Sequence, residues 1–164
     1  MIVAVGEEAP DFELPGRLDR DSGQYRMHRL SASLEDGPVI LHFFPAPFTS
    51  TCEEQMCTVR DDVDTYLDAG VTVWGITAHA PAIIRSWARR HRFGVPILAD
   101  YDRGVSLAYV GLYEPRERLG VALCSKRGVI AIGSDGVVRH VWIGDDPDVA
   151  PPDQQITEAI GSVG

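Results

Sequence analysis

The chain has 164 residues, of which 45% are hydrophobic, and it carries a formal net charge of −9. This length and composition predict a single compact domain over residues 1–164 and exclude a disordered chain. The acidic balance argues against a nucleic-acid partner and against docking on an anionic membrane, because both need a basic protein face. No apolar run is long enough to cross a bilayer and the N-terminus lacks a signal-peptide pattern, so we expect a cytoplasmic protein.

The first predicted elements are short strands and turns over residues 5–30, where prolines and glycines, among them Gly23, interrupt the pattern. Residues 39–44 form an apolar run that is typical of a central buried strand, and Pro45 ends it. A long helix is predicted over residues 50–67, and a glycine follows it as a C-terminal stop. The apolar stripe that indicates this helix consists of Met56, Val59, Val63, Tyr66 and Leu67.

The second half of the chain continues the alternation of strands and helices. We predict a strand at residues 71–77, a helix that begins at Pro81, a strand at 96–99 and a short helix at 104–110. The buried face of the helix after Pro81 is predicted to consist of Ile83, Ile84, Trp87 and His91.

The last predicted elements are a hairpin and a helix. Strands at residues 128–132 and 137–143 are joined by an Asp-Gly turn at 134–136, and a helix covers 152–160. Strands that alternate with helices imply parallel strand pairs with helices on both faces, while the hairpin adds antiparallel strands. The predicted fold is therefore an α/β, thioredoxin-like sandwich with a central mixed sheet and an N-terminal strand extension.

Three cysteines in a chain expected in the cytoplasm indicate reactive or buried thiols and not a disulfide framework. Cys52 follows a buried strand and lies in the first turn of a helix, where backbone N–H groups without intrahelical partners favour an anion. A thiolate is such an anion, so Cys52 is a candidate nucleophile, with a buried inert thiol as the alternative. Cys124, before the late strand, is expected to be a packed core residue or a second partner for Cys52.

Cys57 lies on the polar face of the predicted helix, away from the apolar stripe. A cysteine kept for packing alone should lie on the stripe, so Cys57 is a candidate for thiol chemistry, with a chance surface cysteine as the alternative. Five helical residues place the two Cα atoms roughly 8–9 Å apart, beyond the limit of about 7 Å for a disulfide. A bond between Cys52 and Cys57 therefore requires the helix to unwind locally.

The loop before Cys52 carries a recognisable motif. In the segment 44–52, Phe-Pro-Ala-Pro-Phe-Thr-Ser-Thr-Cys, the spacing P-x-x-x-T-x-x-C of Pro45, Thr49 and Cys52 resembles the active-site motif of peroxiredoxins. Three more segments are similar to family patterns in the same order: V-G-E-E-A-P-D-F-E-L at 5–14, W-G-I-T at 74–77 and P-I-L-A-D at 96–100. The C-x-x-x-x-C spacing of Cys52 and Cys57 resembles the bacterioferritin-comigratory-protein subgroup, also called the Q type.

The resemblance implies a thiol peroxidase that reduces hydrogen peroxide and organic hydroperoxides, as a monomer or homodimer, without a metal or organic cofactor. Cys52 would become a sulfenic acid, and Cys57 would condense with it to a disulfide that thioredoxin or a similar dithiol reduces. Thr49 would orient the peroxide, and Pro45 would shape the loop and exclude water. Arg127 matches the family's active-site arginine by its place before the late strand, and it would stabilise negative charge.

Other interpretations stay open for these residues and for the chain. Thr49 could simply cap the helix, Pro45 could simply end a strand, and Arg127 could be a surface charge. A one-cysteine peroxidase that uses an external thiol and a peroxide-sensing redox-relay protein are the rival functions. The sequence departs from the family at Gln55, where an acid is often found, and this change is expected to alter how the helix unwinds.

The aromatic residues of the motif have two interpretations as well. Phe43, Phe44 and Phe48 form either an apolar mouth that accepts organic peroxides or a part of the core. His42 and His79 lie at no familiar metal-ligand spacing from the cysteines and are expected to be core or loop residues.

Overall fold

A computed structural model describes residues 2–17, 25–114 and 123–164 of the chain. The strands are β1 (Glu13–Arg17), β2 (Tyr25–Arg29), β3 (Val39–Phe43), β4 (Thr72–Thr77), β5 (Ile97–Ala99), β6 (Arg127–Ile132) and β7 (Val138–Gly144). The helices are α1 (Leu30–Leu34), α2 (Ser50–Asp61), α3 (Val63–Asp68), α4 (Pro81–His91), α5 (Gly104–Tyr109) and α6 (Asp153–Val163). None of the helices within the described ranges is long and apolar enough to span a membrane.

The strands form one mixed sheet in the order β2-β1-β5-β4-β3-β6-β7. The central strands β3, β4 and β5 are parallel, while β6 runs antiparallel to β3 and to β7. The N-terminal hairpin of β1 and β2 joins the sheet beside β5. The predicted thioredoxin-like α/β sandwich with an N-terminal strand extension is confirmed, and the predicted turn at Gly23 lies outside the described residues.

Each face of the sheet is covered by helices, and an apolar layer fills the space between the sheet and the helices on each side. Side chains alternate along β3, so that Ile40 faces one layer and Leu41 the other. Helices α2, α3, α4 and α6 contribute buried side chains to the layer of Ile40, whereas α1 and α5 contribute to the layer of Leu41. β3 is buried along its whole length, so its position in the sheet is fixed. The loop that follows its carboxyl end therefore begins at a fixed point.

The prediction of one long helix over residues 50–67 is wrong in one respect, because this segment forms two helices. The backbone leaves helical geometry at Asp62, with φ −99° and ψ 15°, so α2 ends at Asp61 and α3 begins at Val63. Aspartate has a low helix propensity, and negative charge at a helix C-terminus is unfavourable. Consecutive aspartates at 61 and 62 therefore favour an early end, and α2 closes only one turn after Cys57.

Other predicted details also need correction. Leu67 and Ile83, which the apolar stripes assigned to buried faces, are 65% and 44% exposed. Both lie at the edge of their stripe, where the helix surface turns away from the sheet. The sequence patterns did not indicate the short helix α1, which is held by the bond from the Leu30 N–H to the Phe12 carbonyl. The hairpin turn at residues 134–136 is confirmed, with Gly136 at a φ of 81°.

Gly75 of β4 lets α2 approach the sheet closely. A Cβ atom at this position would lie 2.9 Å from Met56 Cε and 3.3 Å from Phe44 Cε1, both too short for normal packing. Met56 is fully buried on the inner face of α2. The missing side chain of Gly75 therefore sets the depth at which α2, and with it Cys52, packs on the sheet.

Candidate active site

Cys52 lies in the first turn of α2, next to the guanidinium group of Arg127. Both terminal nitrogens of Arg127, Nη1 and Nη2, lie 3.5 Å from the Cys52 sulfur and donate hydrogen bonds to it. Each residue is 1% exposed. Hydrogen bonds from a cation strengthen when the acceptor carries a negative charge, so this pair of guanidinium donors is suited to hold a thiolate.

Arg127 is a buried cation whose other acceptors are neutral. Nη1 donates to Gln55 Oε1 at 2.8 Å and Nη2 donates to the Pro147 carbonyl at 2.6 Å, while Nε has no hydrogen-bond partner in the described part of the chain. A buried charge is costly unless an opposite charge compensates it. Of the groups that these hydrogen bonds reach, Cys52 is the one that can become negative.

Tyr113 fixes the backbone position of Arg127 through a hydrogen bond. Its backbone N–H donates to the Tyr113 hydroxyl at 3.2 Å, and that hydroxyl donates to the Gly144 carbonyl at 2.6 Å. Gly128 follows, and a Cβ atom there would lie 2.7 Å from Val110 Cγ1. The start of β6 is thus packed on both sides, which holds the guanidinium group over Cys52.

The loop between β3 and α2 turns the chain towards the site. Phe48 has a left-handed backbone with φ 62°, an unusual conformation for a residue with a large side chain. Thr49 then has an extended backbone and directly precedes α2. Its hydroxyl donates to the Ala46 carbonyl at 2.7 Å and makes no cap hydrogen bond with the helix. The Thr49 oxygen keeps its lone pairs available to accept a hydrogen bond from a ligand.

A cleft of about 50 Å³ opens beside the Cys52 sulfur. Its lining residues are Pro45, Ala46, Thr49, Ser50, Thr51, Cys52, Arg127, Pro147 and Asp148. A water molecule occupies about 30 Å³ in the liquid, so the cleft fits a ligand of a few heavy atoms. The structure thus brings together four of the residues that the sequence singled out: Pro45, Thr49, Cys52 and Arg127.

Gln55 links Arg127 to a buried polar network behind the cleft. Its amide nitrogen lies 3.2 Å from His42 Nδ1 and 3.3 Å from the Phe43 carbonyl. Since Gln55 Nε2 can only donate, His42 Nδ1 accepts, and the proton of the ring lies on Nε2, 3.1 Å from the Tyr66 hydroxyl. Burial lowers the pKa of His42 to about 4, so this imidazole is neutral at neutral pH.

Cys57 lies on the other side of α2, in contact with α4. Its sulfur is 3.9 Å from His91 Nδ1, and the residue is half-buried against the edge of the core. The sequence pattern placed Cys57 on the polar face of the helix, and the end of α4 covers part of that face, so the residue is half-buried. Burial raises the pKa of Cys57, Arg60 lowers it, and Asp61 and Glu53 add to the rise.

Cys124 is the third free thiol and is 4% exposed. Burial is the largest cause that raises its pKa, and the Cys52 sulfur adds to the rise. Both interpretations of the sequence, a packed residue and a second partner for Cys52, stay open at this position.

The sequence reasoning missed part of the site. Gln55 departs from a family pattern in the sequence, but no local signal indicates its contact with Arg127, 72 positions away along the chain. The sequence reasoning did not identify Pro147, whose carbonyl binds Arg127, although the Gly-Asp-Asp-Pro segment after β7 signals a loop. Phe43 and Phe44 are core residues, and Phe48 is the one phenylalanine of the motif that is exposed.

Known proteins resemble this chain along most of its length. Residues 5–141 match the AhpC/TSA family. A Mycobacterium tuberculosis protein assigned to the peroxiredoxins is 33% identical over 136 residues, which cover 83% of this chain and 82% of that protein. The peroxiredoxin Bcp of Escherichia coli K12 is 28% identical over 138 residues, 84% of this chain and 83% of that one.

Solved structures agree in fold. The crystal structure of the peroxidoxin BcpB from Mycobacterium tuberculosis has a TM-score of 0.78 at 26% identity and covers 96% of this chain and 94% of its own. A reduced 2-Cys peroxiredoxin from Plasmodium vivax has a TM-score of 0.83 at 19% identity, covering 97% of this chain and 81% of its own.

The fold and these relatives define a thiol peroxidase of thioredoxin-like architecture. The chain belongs to the AhpC/TSA family and is a peroxiredoxin of the Bcp-like kind. Its substrate class is accordingly a peroxide, and its electrons come from a thiol reductant.

Proposed function

We propose that this enzyme reduces hydrogen peroxide and organic hydroperoxides through Cys52, that Cys57 resolves the oxidised cysteine, and that thioredoxin or a similar dithiol regenerates the enzyme. The observation that carries the proposal is the buried guanidinium of Arg127 at 3.5 Å from the Cys52 sulfur. Neither Cys57 nor Cys124 receives a hydrogen bond from an arginine among the described residues.

In the first step the Cys52 thiolate attacks one peroxide oxygen along the O–O axis. The S–O bond forms as the O–O bond breaks, Cys52 becomes a sulfenic acid, and the leaving oxygen takes up a proton to give water or an alcohol. Arg127 would stabilise the negative charge as it moves from sulfur to the leaving oxygen. Thr49 would orient the peroxide by accepting a hydrogen bond from its O–H group, and Pro45 would close the wall of the cleft against water.

In the second step the Cys57 thiolate attacks the sulfur of the sulfenic acid. A disulfide forms, and the hydroxyl group of the sulfenic acid leaves with a proton as water. The two sulfurs face different sides of an intact α2, because Cys52 contacts Arg127 and Cys57 contacts His91. The step therefore requires α2 to unwind, and a dithiol then reduces the exposed disulfide by exchange.

The size of the cleft supports a preference among peroxides. At about 50 Å³ it would admit hydrogen peroxide or the hydroperoxide end of a larger molecule. The remainder of an organic hydroperoxide would extend past Phe48, which is 47% exposed. We expect hydrogen peroxide and slender hydroperoxides to react faster than branched ones such as cumene hydroperoxide.

Turnover with thioredoxin, thioredoxin reductase and NADPH tests the cycle. Wild type should consume NADPH when peroxide is added, and the Cys52→Ser variant should not. The Cys57→Ser variant should lose thioredoxin-dependent turnover but still consume peroxide with a small monothiol, because its sulfenic acid is accessible. Full thioredoxin-dependent turnover by Cys57→Ser would assign resolution to Cys124 or to the reductant itself.

A further inference from the structure

Glu53, His91 and Cys57 form a chain of polar contacts across the interface of α2 and α4. His91 Nε2 lies 3.0 Å from Glu53 Oε1, and His91 Nδ1 lies 3.9 Å from the Cys57 sulfur. A carboxylate can only accept, so Nε2 carries the ring proton and Nδ1 of a neutral imidazole is an acceptor facing the Cys57 thiol. This is the order carboxylate, imidazole and thiol in which a base activates a sulfur nucleophile.

We infer that His91 is the general base that deprotonates Cys57 for the resolving step, with Glu53 as the residue that orients His91 and stabilises its charged form. The inference rests on the proposed role of Cys57 and assigns a base to it. It concerns a part of the molecule that is separate from the cleft at Arg127.

The imidazole of His91 is held rigidly in this orientation. It stacks on Phe93 with ring centroids 5.3 Å apart and meets the Trp87 ring edge-on at 5.8 Å. Trp87 Nε1 also donates to Glu53 Oε1 at 3.4 Å, which fixes the carboxylate. A ring clamped between two aromatic side chains cannot rotate Nδ1 away from Cys57 without breaking these contacts.

The charges around the pair act on both the imidazole and the thiol. Glu53 on α2 carries the negative charge that an imidazolium needs, and the C-terminus of α4, where His91 lies, stabilises a cation. Arg60 of α2 donates through Nη1 to the His91 carbonyl at 2.7 Å and favours the Cys57 thiolate, whereas Asp61 and Glu53 disfavour it. Because burial raises the pKa of Cys57, its thiol needs help to ionise at neutral pH.

The proton balance of the resolving step follows from this geometry. The Cys57 S–H proton moves to His91 Nδ1, and the thiolate that remains is released as α2 unwinds. The thiolate attacks the Cys52 sulfur, the S–O bond breaks, and the leaving hydroxide takes up a proton to become water. The imidazolium returns its proton to solvent, and no oxidant beyond the peroxide of the first step is needed.

Rapid-quench intact-mass measurements can separate the two steps. The sulfenic acid adds one oxygen to the chain, and the disulfide removes two hydrogens, so each step has its own mass change. We expect His91→Gln to slow disulfide formation roughly 10–100-fold near neutral pH, and Glu53→Gln, which keeps the imidazole in place, to slow it less. His140→Gln, a change at a half-buried histidine of β7, is the matched control and should form the disulfide at the wild-type rate.

The pH profile distinguishes a base from a structural contact. The deficit of His91→Gln should shrink as pH rises, because alkaline solution ionises Cys57 without a base. An equal deficit at every pH, an unchanged rate in both variants, or faster disulfide formation would overturn the inference while leaving Cys57 as the resolving residue. Failure of wild type itself to form a bond between Cys52 and Cys57 would overturn both this inference and the proposed resolving role.

Discussion

At the scale of single residues, Arg127 distinguishes Cys52 from the other two cysteines. Its guanidinium is buried, donates two hydrogen bonds to the Cys52 sulfur and also donates to the neutral oxygens of Gln55 and Pro147. Burial alone raises the pKa of a thiol, as it does for Cys57 and Cys124. In the proposed mechanism, the arginine therefore makes the buried position of Cys52 compatible with a reactive sulfur.

Arg127→Gln is expected to slow the reaction of Cys52 with hydrogen peroxide by about 10²–10³-fold, as is typical when a charge-stabilising donor is removed from an enzyme site. Stopped-flow fluorescence with peroxide in excess measures this rate. Arg139→Gln removes an arginine that pairs with Asp135 on the surface, and it should react like wild type. A normal rate in Arg127→Gln would contradict the role given to the guanidinium.

Gln55 keeps the charge of Arg127 available for sulfur because its amide is neutral. Gln55→Glu keeps almost the same side-chain shape but places a carboxylate against Arg127 Nη1. Its second oxygen replaces the Gln55 Nε2 group that donates to the Phe43 carbonyl in the wild type. We expect the peroxide reaction to slow about tenfold, because part of the guanidinium charge is compensated. Single-turnover rates measure the effect, and a faster reaction in Gln55→Glu would show that the carboxylate aids catalysis instead.

At the scale of elements, the proposed cycle requires an α2 that is stable enough to present Cys52 and unstable enough to release Cys57. It has twelve residues, ends at Asp61 with an aspartate next in the chain, and is packed on the sheet through Met56 and Gly75. A short helix that lacks a C-terminal glycine cap unwinds from its end at modest cost. The part that must unwind is the second half, beyond the turn that holds Cys52.

Thr58 offers a matched pair of substitutions in this half of α2. Its hydroxyl donates a hydrogen bond to the Glu54 carbonyl one turn back, not to Arg127 or His91, the residues that contact the two cysteines. Glycine costs a helix about 1 kcal/mol relative to alanine. If unwinding precedes resolution, Thr58→Gly should therefore form the disulfide about fivefold faster than Thr58→Ala. Rapid-quench mass measurements give both rates, and equal rates would show that unwinding does not limit the step.

At the scale of the whole molecule, the sequence predicted the fold because hydrophobic periodicity and turn residues are local signals. The strands around β3, the proline start of α4 and the Asp-Gly hairpin were all visible in this way. Pro45, Thr49 and Cys52 were visible because they lie within eight positions.

What the sequence could not predict depends on how distant elements pack. His91 meets Cys57 from 34 positions away, and Gln55 meets Arg127 from 72 positions away. The break at Asp62 depends on a small balance of helix propensity and charge. Arg127 could be named only through the family resemblance, because nothing in its local sequence separates it from the other arginines.

The buried network of His42 gives the whole fold a pH dependence. The pKa of His42 falls from an ordinary 6.5 to about 4 on folding, so between these values the unfolded chain binds a proton that the folded chain does not. Stability is therefore complete above pH 6.5 and decreases as pH falls, at up to about 1.4 kcal/mol per pH unit. Urea unfolding of wild type and His42→Gln should show a stability gap that narrows from pH 7 to pH 4. A gap that stays constant would contradict a neutral, buried His42.

The most direct test of the central claim is the intact mass of the reduced protein after one equivalent of hydrogen peroxide, beside that of Cys57→Ser. The account predicts that wild type loses two hydrogens and that the variant gains one oxygen, with the change mapped to Cys52. If both lose two hydrogens, Cys124 or a second chain resolves the sulfenic acid, and if wild type gains oxygen, the enzyme uses one cysteine. If neither reacts, Cys52 is not the peroxidatic residue and the proposed mechanism is contradicted.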